Sequence, residues 1–240
     1  MRRRVIIWSV VLVTLLGLLL AADRIGVYVA EKQMAKKIAD SPQLAGVNDT
    51  KVTLSGFPFL TQVFGGDYKH AHAVVHGLKR GDVEVQTLTV DLRGIHVPFS
   101  DLTSGSVQSA PVDDVNGTAL VTYAALERLP ELQGITLQYV QGQSWLRAAG
   151  TVDVLGNPVK LTARADVNIQ PDGTLRVDAH DVQAPLGVPL PSSVSRQISD
   201  KLSRTIVIPP LPFGLKIQSV KPTPDGVVGS VHARNITLTS

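Results

Sequence analysis

The chain has 240 residues, no cysteine, and 23 Lys+Arg against 20 Asp+Glu, a net charge of +3. The missing cysteine excludes disulfide stapling and thiol catalysis, so the fold must rest on core burial, for which roughly 215 residues suffice. Beyond Asp23 the balance is 20 Lys+Arg to 19 Asp+Glu, about +1, which leaves no strong electrostatic case for a nucleic-acid partner.

The basic excess sits at the N-terminus. Arg2, Arg3 and Arg4 precede a charge-free stretch, residues 5–22, which Asp23 and Arg24 close. At 1.5 Å per residue those eighteen residues span about 27 Å, close to a bilayer core. The leading arginines put that end in the cytoplasm and send the rest of the chain outward. A cleaved signal peptide shares the basic and apolar regions, but Leu20-Ala21-Ala22 is a poor small-x-small cleavage site and no lipobox cysteine follows. Residues 1–23 therefore read as a signal anchor in preference to a signal peptide. Residues 24–240 read as a single exported domain. A cysteine-free exported domain suits a bacterial envelope. There the sequons Asn48-Asp49-Thr50, Asn116-Gly117-Thr118 and Asn235-Ile236-Thr237 are chance matches.

Residues 25–39 carry Ile25, Val29, Met34 and Ile38 among Glu31, Lys32, Lys36 and Lys37, the period of an amphipathic helix that stops at Asp40-Ser41-Pro42. Then comes Gly56-Phe57-Pro58-Phe59-Leu60-Thr61-Gln62-Val63-Phe64-Gly65-Gly66, which holds three of the five phenylalanines. Proline and glycine bar it from a core helix or a central strand, yet it is apolar where loops are polar. It needs an apolar partner: the core, another protein, or lipid.

From there the pattern alternates. Residues 68–76 and 82–93 read as strands, and a phase change near Gln86-Thr87 predicts a bulge. Asp113-Asp114 beside Asn116-Gly117 reads as a turn, 118–121 as a short strand and 123–129 as a short helix ending at Pro130. Strands follow over 135–140, 144–154, 159–169, 174–182, 215–220 and 227–238, with turns at Gly156-Asn157-Pro158 and Pro171-Asp172-Gly173. One helix, residues 192–206, puts Val194, Ile198, Leu202 and Ile206 on a stripe. A second proline-punctuated apolar loop, Pro209-Pro210-Leu211-Pro212-Phe213-Gly214, comes after it. The reading is an α+β domain in which a long, curved antiparallel sheet wraps one or two helices, preceded by the N-terminal transmembrane or signal helix.

Catalytic signatures are absent: no nucleophile elbow, zinc-protease, phosphate-loop or dinucleotide motif occurs. His70, His72 and His76 share a strand face, but His76 lies about 13 Å from His72 along an extended strand. A solvated polar face is the better reading, and no metal or cofactor is expected. The apolar loops carry more weight. Keeping a lipid chain of about sixteen carbons out of its membrane takes on the order of 12 kcal/mol of burial, which a helix clasped by a curved sheet can supply. The expected lipid-contacting residues are Phe57, Phe59, Leu60, Phe64, Trp145, Leu211 and Phe213, with Lys69 or Arg147 near a phosphate. As a plain alternative, the aromatic side chains plug the core.

Gly56-Phe57-Pro58-Phe59-Leu60-Thr61-Gln62, the segment Asn116-Gly117-Thr118-Ala119-Leu120-Val121-Thr122-Tyr123 and the closing Pro209-Pro210-Leu211-Pro212-Phe213-Gly214 resemble the LmeA-like phospholipid-binding family of actinobacteria over residues 25–240. The resemblance implies a tubular lipid-binding fold and a periplasmic, non-catalytic protein that binds phospholipids, phosphatidylinositol-type among them. It also implies support for lipomannan and lipoarabinomannan mannan-chain elongation, with an envelope mannosyltransferase as a candidate partner. Two rival readings remain open, a scaffold that stabilises an envelope glycosyltransferase and an envelope hydrolase or transferase with an unrecognised site.

Overall fold

The computed structural model describes residues 2–40, 47, 49–80, 82–104, 107–154, 157–184, 188–189, 192–208, 211 and 214–239. The chain opens with one unbroken helix, α1 (Arg2–Ala39). The apolar stretch and the amphipathic stretch expected after it are thus a single rod, because nothing between them breaks a helix: Asp23 and Arg24 are charged but compatible with it. It stops at Ala39, two residues short of the pre-proline position Ser41.

Among the described residues, twelve strands divide between two antiparallel sheets. The first contains β1 (Asp49–Ser55), β2 (Asp67–Arg80), β3 (Val83–His96), β4 (Ser109–Val121), β11 (Ile217–Thr223) and β12 (Gly226–Thr239), in the order β1-β2-β3-β4-β12-β11. The second contains β5 (Ile135–Tyr139), β6 (Leu146–Val154), β7 (Asn157–Ile169), β8 (Leu175–Ala184) and β10 (Arg204–Ile206), in the order β10-β8-β7-β6-β5, with β9 (Val188–Pro189) on the same edge of β8 as β10. Among the described residues, four short helices complete the α+β fold: α2 (Phe59–Gly65), α3 (Phe99–Ser104), α4 (Tyr123–Leu126) and α5 (Ser192–Leu202). A one-turn 3₁₀ helix, Pro130–Leu132, follows α4.

Several strand expectations shift. The predicted bulge at Gln86-Thr87 is not there: β2 and β3 hold one register from Asp67↔His96 to Arg80↔Val83. The phase change lies instead in both strands at once, opposite Gln86, where Gly77 takes φ 72°. Only glycine enters that region without a steric cost. Below it Val75 faces the core; above it Leu78 and Val85 do. The expected turn at Asp113-Asp114 is also a strand. β4 runs through it, with Val112 and Val115 buried on either side. The carboxylates mislead because they are stabilised by side chains of neighbouring strands: Asp113 meets His96 at 3.2 Å and Asp114 meets Arg234 at 3.6 Å. The helix over 192–206 ends at Leu202, since the β-branched Thr205 and Ile206 join the edge of β8 as β10. Asn157 and Pro158 begin β7 rather than completing a turn; residues 155 and 156 lie outside the described residues.

Among the described residues, four apolar clusters make the core. Where the sheets meet, Leu132, Leu137, Leu146, Ala165, Val177 and Ile206 pack with Val227 of β12. Above it in the second sheet, Leu161, Ala163, Ala179 and Val182 receive Ile198 of α5. The other two clusters join the first sheet to α1. Ile38 packs beside Val75 and Leu78, whereas Val27 and Ala30 pack beside Leu54, Phe59 and Tyr68.

Candidate functional site

β1 runs back along α1 toward its apolar segment. Val47 shares a cluster with Ile38, Leu54 N–H donates to Glu31 Oε1 at 2.7 Å, and Leu60 N–H donates to Asp23 Oδ1 at 2.9 Å. The aromatic loop is thereby delivered to the point where the apolar part of α1 ends.

The loop is built around two polar side chains. Asp23 is 2% exposed and accepts the Leu60 amide in the first turn of α2, one of the donors that a helix start leaves unpaired. Arg24 lies 3.7 Å from its other oxygen and covers the Phe57 ring at 5.2 Å. Gln62 is buried as well. Its Oε1 accepts Lys69 N–H at 3.0 Å and its Nε2 donates to the Pro58 carbonyl at 3.3 Å. Gly56, at φ 116°, makes this possible, because a Cβ there would fall 2.7 Å from Gln62 Nε2. The glycine, the glutamine and the intervening proline thus form one small folding unit. Gly66 N–H closes α2 on the Gln62 carbonyl at 2.8 Å.

The phenylalanines of this unit do different things. Phe59 is 5% exposed and packs on Tyr68, ring centroids 6.3 Å apart. Burial pushes the Tyr68 phenol above its ordinary pKa. Phe57 and Phe64 point outward; Phe64, 70% exposed, stacks at 5.3 Å on Phe99 of α3. Leu60 is half-buried beside Gly26. The structure therefore gathers Phe57, Phe59, Leu60 and Phe64 at one end of the first sheet.

Trp145 belongs elsewhere. It precedes β6 in the second sheet, where its indole N–H donates to Gln143 Oε1 at 3.0 Å and the Arg164 guanidinium lies 5.3 Å over its ring. Leu211 is half-buried in the connection between the sheets, and Phe213 lies outside the described residues. The side chains of Lys69 and Arg147 are exposed, Lys69 beside the aromatic loop and Arg147 on β6.

A second apolar feature went unread in the sequence. In the second sheet Leu132, Leu137, Ala148, Ala165, Ala179 and Leu202 line a hollow with free volume of about 10 Å³, near the least that admits one water molecule. Its floor is alanine and glycine, residues whose alternation marks an ordinary strand and gives no sign of room. α5 closes it through Leu202.

The histidines form a polar face. His70 Nε2 and His72 Nδ1 lie 2.9 and 3.0 Å from the same oxygen of Asp91, whereas His76 stands apart on Thr87 at 3.2 Å. Burial alone would raise the Asp91 carboxyl; the two imidazole hydrogen bonds outweigh it and hold the group below the usual carboxylate range. No cluster of three or more His, Asp or Glu side chains able to hold a metal ion occurs among the described residues.

Residues 21–232 match the model of the LmeA-like phospholipid-binding family. The chain belongs to that family. Comparison with curated proteins and with solved structures gives no match. The LmeA-like match begins two residues before Asp23. It takes in the lower half of α1, the aromatic loop and both sheets, and it leaves out nearly all of the apolar stretch. Membership makes this a lipid-binding protein, and the LmeA-like fold here is α+β with antiparallel sheets and an N-terminal apolar helix long enough to cross a membrane.

Proposed function

We propose that the protein is a non-catalytic phospholipid holder of the cell envelope, anchored by α1 in the cytoplasmic membrane with residues 24–240 as one domain on its periplasmic side. The family match over residues 21–232 carries the reading. Its lipids are of the phosphatidylinositol type, and by presenting or shielding them it supports lipomannan and lipoarabinomannan elongation beside an envelope mannosyltransferase. Phe57, Leu60 and Phe64 meet the lipid first, at the end of α1. Phe59, Trp145, Leu211 and Phe213 line its onward path. The acyl chains lodge on the alanine floor of the second sheet. Because that hollow is closed to about 10 Å³, α5 swings off β8 to admit a chain.

The full-length protein in vesicles of phosphatidylethanolamine and phosphatidylinositol with a diazirine at mid-acyl chain tests this. Photocrosslinks to the second sheet, at Ala148 or Ala165, are the expected result, since no bilayer-embedded chain reaches them. Crosslinks confined to α1 and the aromatic loop would sink the proposal.

A further inference from the structure

Among the described residues outside α1, the large apolar side chains that are exposed are Phe57, Phe64, Phe99, Leu102 and Val207. Four of the five share one end of the molecule. Strand directions show why. β1 and β3 run toward this end and β2 and β4 away from it, so the β1–β2 connection with α2 and the β3–β4 connection with α3 both fall there. Gly66, at the end of α2, accepts Val97 N–H just before α3 at 2.8 Å, and Phe64 stacks on Phe99. The two helices form one aromatic base.

The position of this base relative to the apolar helix is set by hydrogen bonding. Asp23, the first charged residue after the apolar stretch, holds Leu60 N–H at 2.9 Å, and Arg24 covers Phe57. Residues 5–22 span about 27 Å, one hydrocarbon core, and the headgroup layer beyond it is about 5–7 Å deep. Side chains in contact with residues 23 and 24 of a membrane-crossing α1 therefore lie within that layer. Phe57 and Leu60 meet this condition directly, and the Phe64–Phe99 pair extends the base sideways from them. Apolar bodies with cationic neighbours are what the interface accepts.

We infer that the α2–α3 base is a monotopic membrane contact: Phe57, Phe64, Phe99 and Leu102 insert into the interfacial region of the bilayer that α1 crosses. The occupant of this face is lipid. The inference rests on the anchoring proposed above and is independent of whether the second sheet holds a lipid.

The chain has no cysteine, so nitroxide labels can be placed singly. Phe64→Cys, Leu102→Cys and, as a control at the other exposed apolar site, Val207→Cys are made in the full-length protein and reconstituted in phosphatidylcholine–phosphatidylglycerol vesicles. For labels at 64 and 102, collision with dissolved oxygen is expected to exceed collision with a water-soluble nickel chelate several-fold. At 207 the chelate is expected to win. Positions 64 and 102 sit on separate helices, so either one decides if the other variant misfolds. Labels at both that match 207 would overturn the inference. So would chelate shielding accompanied by spin–spin broadening that vanishes on dilution in the vesicles, since that puts a second copy on the face. Diazirine crosslinking of the second sheet reads the proposed function separately, so either idea can fail alone.

Discussion

The two apolar regions of this protein are opposites in construction. At the base, large rings face outward, and the polar side chains Asp23 and Gln62 are buried beneath them to hold the loop together. In the second sheet the alanines Ala163, Ala165 and Ala179 face inward among larger residues such as Leu146 and Leu161, and Ile198 and Leu202 of α5 pack in the cluster of Ala163 and Ala179. One surface is apolar toward its surroundings and the other is apolar toward itself. Exposed aromatic side chains mark the first region, and inward-facing alanines beside a hollow of about 10 Å³ mark the second.

Substitutions separate the two most sharply when volume is removed from each. Leu146, 1% exposed at the junction of the sheets, should lose about 2–5 kcal/mol on replacement by alanine through lost burial and the cavity left behind. Urea unfolding of the full-length protein in detergent measures it. A loss below about 1 kcal/mol would mean the junction is loosely packed, and the contrast with the base would break. Next in size is Asp23→Ala, which strips the Leu60 amide of its acceptor and should cost about 1–2 kcal/mol, with faster hydrogen exchange at Leu60. Asp23→Asn keeps an acceptor and should recover most of that. Equal losses in the two variants would show that the charge beside Arg24, rather than the cap, holds the loop.

Phe64→Ala should change stability in detergent by no more than about 0.5 kcal/mol, because Phe64 is largely exposed beside Phe99. A loss comparable to that of Leu146→Ala would make Phe64 a core residue and erase the distinction. The smallest effect concerns His96, at the same end of the first sheet. Hydrogen bonds to Asp67 at 2.7 Å and Asp113 at 3.2 Å raise its pKa, outweighing a slight opposing desolvation. A raised histidine pKa contributes stability that is complete below about pH 6.5, its ordinary value, and fades as pH rises through the raised one. NMR titration should place His96 above the ordinary value, and Asp67→Asn should move it back. A midpoint unmoved by that substitution would remove Asp67 as the cause.

Much of the fold could be read from residue order. The apolar stretch, the helical period that follows it and the alternation of strands such as 159–169 all correspond to elements, and the LmeA-like resemblance held over 21–232. The readings that failed share a physical origin. Asp113-Asp114-Val115-Asn116-Gly117 looks like a turn because local chemistry favours one; partners on β3 and β12, distant in sequence, override it. The phase change at Gln86 was real, but its cause, Gly77, stands on the neighbouring strand, and one strand's pattern does not name its partner. At the site, Gly56 and Gln62 were legible as a motif but not as a unit. Their coupling depends on a positive φ, and the attachment of the unit to α1 depends on Asp23, thirty-three residues before Gly56 in the chain. The alanine floor gave no signal, because an absent side chain leaves no mark in a hydropathy pattern.

One consequence concerns distance. α1 is a single helix from Arg2 to Ala39, and its last turns are packed against β1 and β2. Counted from Asp23, the part beyond the apolar stretch rises about 25 Å. In an anchored chain that length is a strut. A flexible tether would let the protein sweep a hemisphere and reach partners at many heights. A strut packed along the first sheet would hold the base at the bilayer surface and the second sheet at a set distance from it. If the chain is anchored and hands lipid on, as proposed above, an acceptor would have to present itself at that height, and the geometry of α1 would select among partners.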